Sequence, residues 1–121
     1  MKWRSSDVDF FLGSSEGYGL EEPRRCRVVA DYVTDRGKEA VLVSVDPPIT
    51  LTDAGATATR VVLVPRHDGE TIRRPRSWPV AVHVALPRSH VSGKVLLTAD
   101  LELFGWAEIY ATERAARRGS T

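Results

Sequence analysis

The stretch that decides the fold is VLLTADLELFGWAEIYA, residues 95–111. Apolar side chains recur at every second position along most of it, which is the alternation of a half-buried β-strand. A single straight strand of this length would extend about 55 Å at roughly 3.3 Å per residue. A domain of this size has a radius of gyration of only about 14 Å, so the run must bend or break. Gly105 is the expected corner, because a sheet turns at a glycine or bulge. The positions that share this parity are Val95, Leu97, Ala99, Leu101, Leu103, Ala107, Ile109 and Ala111.

Further strands are predicted upstream by the same alternation. A first strand presents Cys26, Val28, Ala30 and Tyr32 on one face and Arg25, Arg27, Val29 and Asp31 on the other. A turn at 35–38 leads to a partner strand over about 39–46, which Pro47 ends because proline cannot donate to a ladder. A third strand spans 60–66, and the following Asp68-Gly69 predicts a tight hairpin turn with a short return arm over 70–73. Residues 80–86 form another strand with valines on one face.

These patterns predict an all-β fold, a single small closed β-barrel of six or seven mostly antiparallel strands. A β-sandwich is the alternative, since periodicity alone does not distinguish the two, but a barrel leaves no free strand edges. We expect residues 1–22 to form a partly ordered N-terminal segment, residues 23–113 the barrel domain, and residues 114–121 a basic, frayed tail.

Composition restricts the classes of function. The chain has 121 residues, a net charge of +1 and one cysteine. That single cysteine excludes an intramolecular disulfide framework and a multi-cysteine zinc site. The longest uncharged apolar run falls well short of the roughly 20 residues that a membrane-spanning helix needs. We therefore expect no membrane partner and a cytoplasmic location, where a lone thiol is best tolerated.

Three segments carry a resemblance to a known family: the strand Arg27–Asp31, the segment Trp78–Val84 and the ending Leu101–Ile109. Together, residues 26–112 resemble the C-terminal β-barrel of elongation factor Tu-type translation GTPases, and the resemblance implies a six-stranded barrel. The Glu-Gly-Gly-Arg turn and the Gly-Tyr-Arg-Pro segment of that family are missing here, so no functional residue is carried over. The phosphate-binding Gly-x-x-x-x-Gly-Lys-Ser/Thr motif of a GTPase domain is also missing from this sequence.

Few residues offer catalytic chemistry. His67 and Glu70 flank the predicted turn, where they are expected to form a cross-strand pair. His83 has small neighbours on its strand face, and His90 lies in a polar loop. Cys26 is expected to be buried and therefore unreactive. We predict no enzymatic activity, no metal site and no cofactor; an alternative hypothesis is a minor enzyme centred on His67 or His83.

Binding is the favoured function. Arg73, Arg74, Arg76 and Trp78 combine guanidinium groups with an indole in one extended segment, and such groups suit either a protein interface or phosphates and bases. Trp106 and Tyr110 share the strand face opposite the apolar positions, so both are expected at the surface. The sequence predicts a non-catalytic interaction module that binds another protein or itself. The alternative is a barrel that binds RNA or single-stranded nucleic acid, which the low net charge disfavours.

Overall fold

The alternating segments form the strands of one continuous sheet in a computed structural model. The structure describes residues 9–13, 22–50, 57–87 and 94–119. Within those ranges the elements are β1 (Phe10–Leu12), β2 (Arg24–Thr34), β3 (Glu39–Thr50), β4 (Thr57–Pro65), β5 (Val80–Pro87), β6 (Val95–Leu96), a 3-10 helix (Thr98–Asp100), β7 (Leu101–Tyr110) and α1 (Glu113–Gly119). No helix of the described residues has the length and apolarity needed to cross a membrane.

Six of the strands close into an antiparallel barrel in the order β1-β7-β5-β4-β3-β2. The closing element is β1, which pairs with β2 on one side and with β7 on the other. Strand β6 lies outside this ring and pairs in parallel with the end of β2, so that Val33 lies beside Val95. The predicted all-β closed barrel is therefore confirmed, and the sandwich is not formed.

The barrel interior is filled by the apolar positions of each alternation. Val41, Val43 and Val45 point inward from β3, and Val82 and Ile109 come from β5 and β7. Fully burying an aliphatic side chain of this size contributes about 1.5–3 kcal/mol relative to its exposure. The interior is the main apolar cluster among the described residues, and it fixes which side of each strand remains outside.

Strand β2 does not keep one face, which corrects the expectation for Cys26, Val28, Ala30 and Tyr32. Its pairing with β3 shifts register between Val28 and Ala30. Val28 packs on the barrel core, whereas Tyr32 packs on a second apolar cluster. A shift of one residue moves every following side chain to the other face of a strand. The second cluster has a buried centre of Ala40, Val62 and Leu96.

The proline pair and the long apolar run also differ from expectation. Strand β3 continues through Pro47 and Pro48 to Thr50, because its pairing with β4 shifts register between Ser44 and Ile49 and needs no donor there. The run over 95–111 breaks at the 3-10 helix, and the β5–β7 register shifts between Val84 and Ala85, next to Gly105. The run therefore bends at the expected glycine and also breaks before it.

The predicted hairpin after β4 is wrong. Asp68-Gly69 does make a tight turn, in which Gly69 has a φ of +84° and Glu70 donates its N–H to the carbonyl of His67 at 3.3 Å. No return strand follows, and residues 66–79 form one loop to β5. Ile72 in this loop is buried in the barrel core. The expected frayed tail is instead helix α1, which buries Ala116.

Candidate functional site

The loop over residues 66–79 holds four of the predicted binding residues, and one of them has a structural role. Arg73 donates from Nη1 to both carboxylate oxygens of Asp31, at 3.0 and 2.9 Å. Its backbone N–H also donates to Glu39 at 3.3 Å, beside the Ile72 N–H that donates to the same carboxylate at 2.6 Å. These contacts attach the loop to the β2–β3 hairpin, so the Arg73 guanidinium already has an anionic partner.

The other three predicted residues of this loop point to solvent. Arg74 and Arg76 are exposed, and the Trp78 side chain is 39% exposed. The carbonyl of Arg74 accepts the Thr71 hydroxyl at 2.7 Å, which fixes the local turn. The loop therefore presents two guanidinium groups and part of an indole from a firmly attached backbone.

Trp106 and Tyr110 have different environments, although both lie on the outer face of β7. Trp106 is 49% exposed, as expected, and the Arg66 guanidinium lies over its ring at 4.8 Å from the centroid. Tyr110 is buried, which corrects the expectation that it stands on the surface. Gly13 packs against its ring, and burial beside Glu108 raises the pKa of the Tyr110 hydroxyl.

Exposed apolar side chains define a surface that the sequence analysis did not identify as a site. Here the β2–β6 surface means Val33 and Val95, which are 50% and 59% exposed. Val33 and Val95 are direct neighbours across the parallel β2–β6 pair. The signal in the sequence is the doubled apolar positions Tyr32-Val33 and Val95-Leu96, which no single-faced strand requires.

The histidines and the cysteine do not assemble a reaction centre within the described residues. His83 is half-buried, and desolvation together with the nearby Arg66, Lys38 and His67 lowers its pKa. His67 is exposed and lies in the loop, so the expected cross-strand pair with Glu70 does not form. His90 lies outside the described residues. Burial raises the pKa of the Cys26 thiol to about 12. The thiol therefore stays protonated and unreactive near neutral pH, in agreement with its predicted burial.

The described part of the chain contains no cluster of side chains suited to bind a metal ion. No group of three or more His, Cys, Asp or Glu side chains there is arranged to hold a metal ion. No protein-family model, curated protein or solved structure matches this chain. The likeness to the elongation factor Tu-type barrel stays a prediction, and the function must be argued from the surface itself.

Proposed function

We propose that this protein is a non-catalytic interaction module that associates with a second copy of itself through the β2–β6 surface. The observation that carries the proposal is a pair of exposed valines, Val33 and Val95, that lie side by side where β6 forms the edge of the sheet. Monomeric proteins rarely leave a sizeable apolar patch open, and patches of this kind mark interaction sites. A cytoplasmic location belongs to the same proposal.

A second copy is the occupant that this surface fits best. A two-fold interface places the same patch of each subunit against itself, so it must be complementary to its own chemistry. Val33 and Val95 are both aliphatic, so no like charges within the pair would oppose such pairing. Removing them from water in both copies supplies a driving force of about 25 cal/mol per Å² of apolar area.

The test is the solution mass of the protein as its concentration rises, measured by light scattering after size-exclusion chromatography. We expect the mass to rise toward twice 13.4 kDa for the unmodified chain. The variants Val33→Asp and Val95→Asp should stay monomeric, because each would bury an unpaired carboxylate in the interface. Thr59→Asp, at an exposed position on β4, is the matched control and should associate normally.

A monomeric unmodified chain at every accessible concentration would reject self-association. Equal dissociation of the Thr59→Asp control would reject the β2–β6 surface as the interface. Circular dichroism of each variant should show the β-sheet signal of the unmodified chain, because all three positions are exposed.

A second candidate function is binding of single-stranded nucleic acid by the 66–79 loop. The observation that favours it is the joint exposure of Arg74, Arg76 and Trp78 on that loop. Stacking of a base on an aromatic side chain contributes about 1–3 kcal/mol. This candidate predicts co-purifying material that absorbs at 260 nm and is removed by salt. Material that salt does not remove, or an affinity unchanged by Trp78→Ala and Arg76→Gln, would reject it.

A further inference from the structure

Two arginines flank a serine on the outer wall of the barrel. Arg27 of β2 is the direct cross-strand partner of Ser44 on β3, and Ser44 is the partner of Arg60 on β4. The neighbours of each residue along its strand show the direction of the side chains: Val28, Val43 and Val61 pack into the barrel. The side chains of Arg27, Ser44 and Arg60 therefore share the outer face.

The spacing of this row suits convergence of the two guanidinium groups. Neighbouring strands are about 4.8 Å apart, so the arginine backbones are separated by about 10 Å with Ser44 midway. An arginine side chain is long enough to reach across a neighbouring strand, with its methylene groups packed on the sheet and its guanidinium group in solvent. Both arginines are exposed and Ser44 is half-buried. The Ser44 hydroxyl thus lies between the two arginine side chains and closer to the barrel surface than their guanidinium groups.

The surface around Arg27, Ser44 and Arg60 carries a net positive charge. Arg25 lies on the same face of β2, opposite Asp46 of β3, so these two charges offset one another. The carboxylate of Asp9, at the edge of β2, accepts the Val28 N–H at 2.8 Å. Among the described residues, neither Arg27 nor Arg60 has a carboxylate within 4.0 Å. Arg73, by contrast, already holds Asp31.

We infer that the Arg27–Ser44–Arg60 row binds a phosphate group, with one guanidinium on each side and the serine hydroxyl donating from below. Guanidinium groups suit this ligand because their paired N–H donors match two oxygens of one phosphate. An anion between the arginines would also relieve the repulsion of two like charges held on either side of β3. The phosphate can belong to a small phosphorylated molecule or to a nucleic-acid backbone, and the chemistry of recognition is the same.

Inorganic phosphate is the first probe, added to isotope-labelled protein at constant ionic strength with chloride as the exchanged anion. We expect saturable shifts of the Ser44 amide and of the side-chain Nε–Hε signals of Arg27 and Arg60. The double variant Arg27→Gln/Arg60→Gln should lose about tenfold or more in affinity, as removal of charge-assisted hydrogen bonds predicts. Arg114→Gln removes the same charge from an exposed position on α1 and should leave the affinity unchanged.

A short oligothymidylate is the second probe and distinguishes the sources of phosphate. Binding of the oligonucleotide that is lost in the double variant but kept in Arg114→Gln assigns the site to a nucleic-acid backbone. Binding of inorganic phosphate alone assigns it to a small phosphorylated ligand. Shifts that are linear in phosphate, or an equal loss in Arg114→Gln, would overturn the inference. Because the exposed row contributes little to the core, the double variant should unfold at the same denaturant concentration as the unmodified chain.

Discussion

The carboxylate of Glu39 accepts the backbone N–H of Ile72 at 2.6 Å, across 33 residues of chain. This hydrogen bond holds the 66–79 loop against β3 and directs the Ile72 side chain into the barrel. The loop that carries the exposed Arg74, Arg76 and Trp78 is thus attached by the buried Ile72 and by two acidic residues, Glu39 and the Asp31 that pairs with Arg73.

Replacing Ile72 should have a large effect on stability for a loop residue. Ile72→Ala removes a side chain that is 1% exposed, and we expect the free energy of unfolding to fall by about 2–5 kcal/mol. Urea denaturation followed by tryptophan fluorescence measures it. Ser77→Ala, in the same loop but exposed, should change stability by less than about 0.5 kcal/mol. A small loss for Ile72→Ala would mean that the loop can leave the barrel without cost.

The two acidic residues that hold the loop should differ in importance. Glu39→Ala leaves the buried Ile72 without an acceptor for its N–H, which costs about 1–3 kcal/mol. Asp31→Ala breaks an ion pair with Arg73 whose side chains are 46% and 60% exposed, and such pairs contribute about 0–1 kcal/mol. The same urea experiment compares them. A larger loss for Asp31→Ala than for Glu39→Ala would contradict this order.

The thiol of Cys26 should be unreactive in the folded protein and should respond to alkaline pH. Burial raises its pKa to about 12, so the folded state keeps the thiol protonated while the unfolded chain ionises near pH 9. Stability therefore falls as the pH rises through that interval, because the unfolded state releases its proton first. Cys26→Ala should weaken this fall. A thiol-reactive disulfide reagent at neutral pH should label the chain in urea and leave the native protein unlabelled; rapid native labelling would contradict the burial.

The pKa of His83 should rise when Arg66 is removed. Desolvation is the first cause of the lowered pKa of His83, and the charge of Arg66 is the second. Arg66→Gln should therefore raise this pKa part of the way back to 6.5. Because the folded-state pKa lies below the unfolded value, His83 lowers stability as the pH falls below about 6.5. Proton NMR of the imidazole measures the midpoint, and Lys94→Gln serves as a control with no expected effect. An unchanged midpoint in Arg66→Gln would place the guanidinium too far away to act.

Gly13 should not accept a larger residue. A Cβ atom there would lie 2.7 Å from Cε2 of Tyr110 and 3.2 Å from the carbonyl oxygen of Glu108. Gly13→Ala should therefore cost about 1–3 kcal/mol, as overpacking does. A double-mutant cycle with Tyr110→Ala should show a smaller additional loss, because the ring contact is already gone. Full additivity would assign the cost to the backbone contact instead.

The alternation of apolar residues predicted the closed barrel and most of its strands, since each strand needs an inward face, but it did not predict the three-residue β1. It failed at Tyr32, because the register shift after Val28 depends on how β2 meets β3 rather than on either strand alone. The predicted end of β3 at Pro47 was wrong for the same reason. The register shift between Ser44 and Ile49 means that β4 needs no N–H donor at Pro47.

The candidate site was less predictable than the fold. The exposed Arg74, Arg76 and Trp106 followed from strand and loop chemistry, whereas the ion pair of Arg73 with Asp31 joins residues 42 positions apart. Tyr110 alternates outward as expected, but it is buried because β1 returns to β7 and brings Gly13 against its ring. Local patterns cannot report which distant segment covers a side chain.

Closure by β1 has a consequence for the order of events during synthesis on the ribosome. β1 is three residues long and pairs through Phe11 with Tyr110 of β7, which emerges long after it. The nascent chain can assemble β2, β3, β4 and β5 while the last wall of the barrel is still inside the exit tunnel. Its apolar interior then stays open until β7 has left the tunnel and can pair with β1 and β5. Long-range pairing of this kind slows folding and exposes unfinished chains to aggregation.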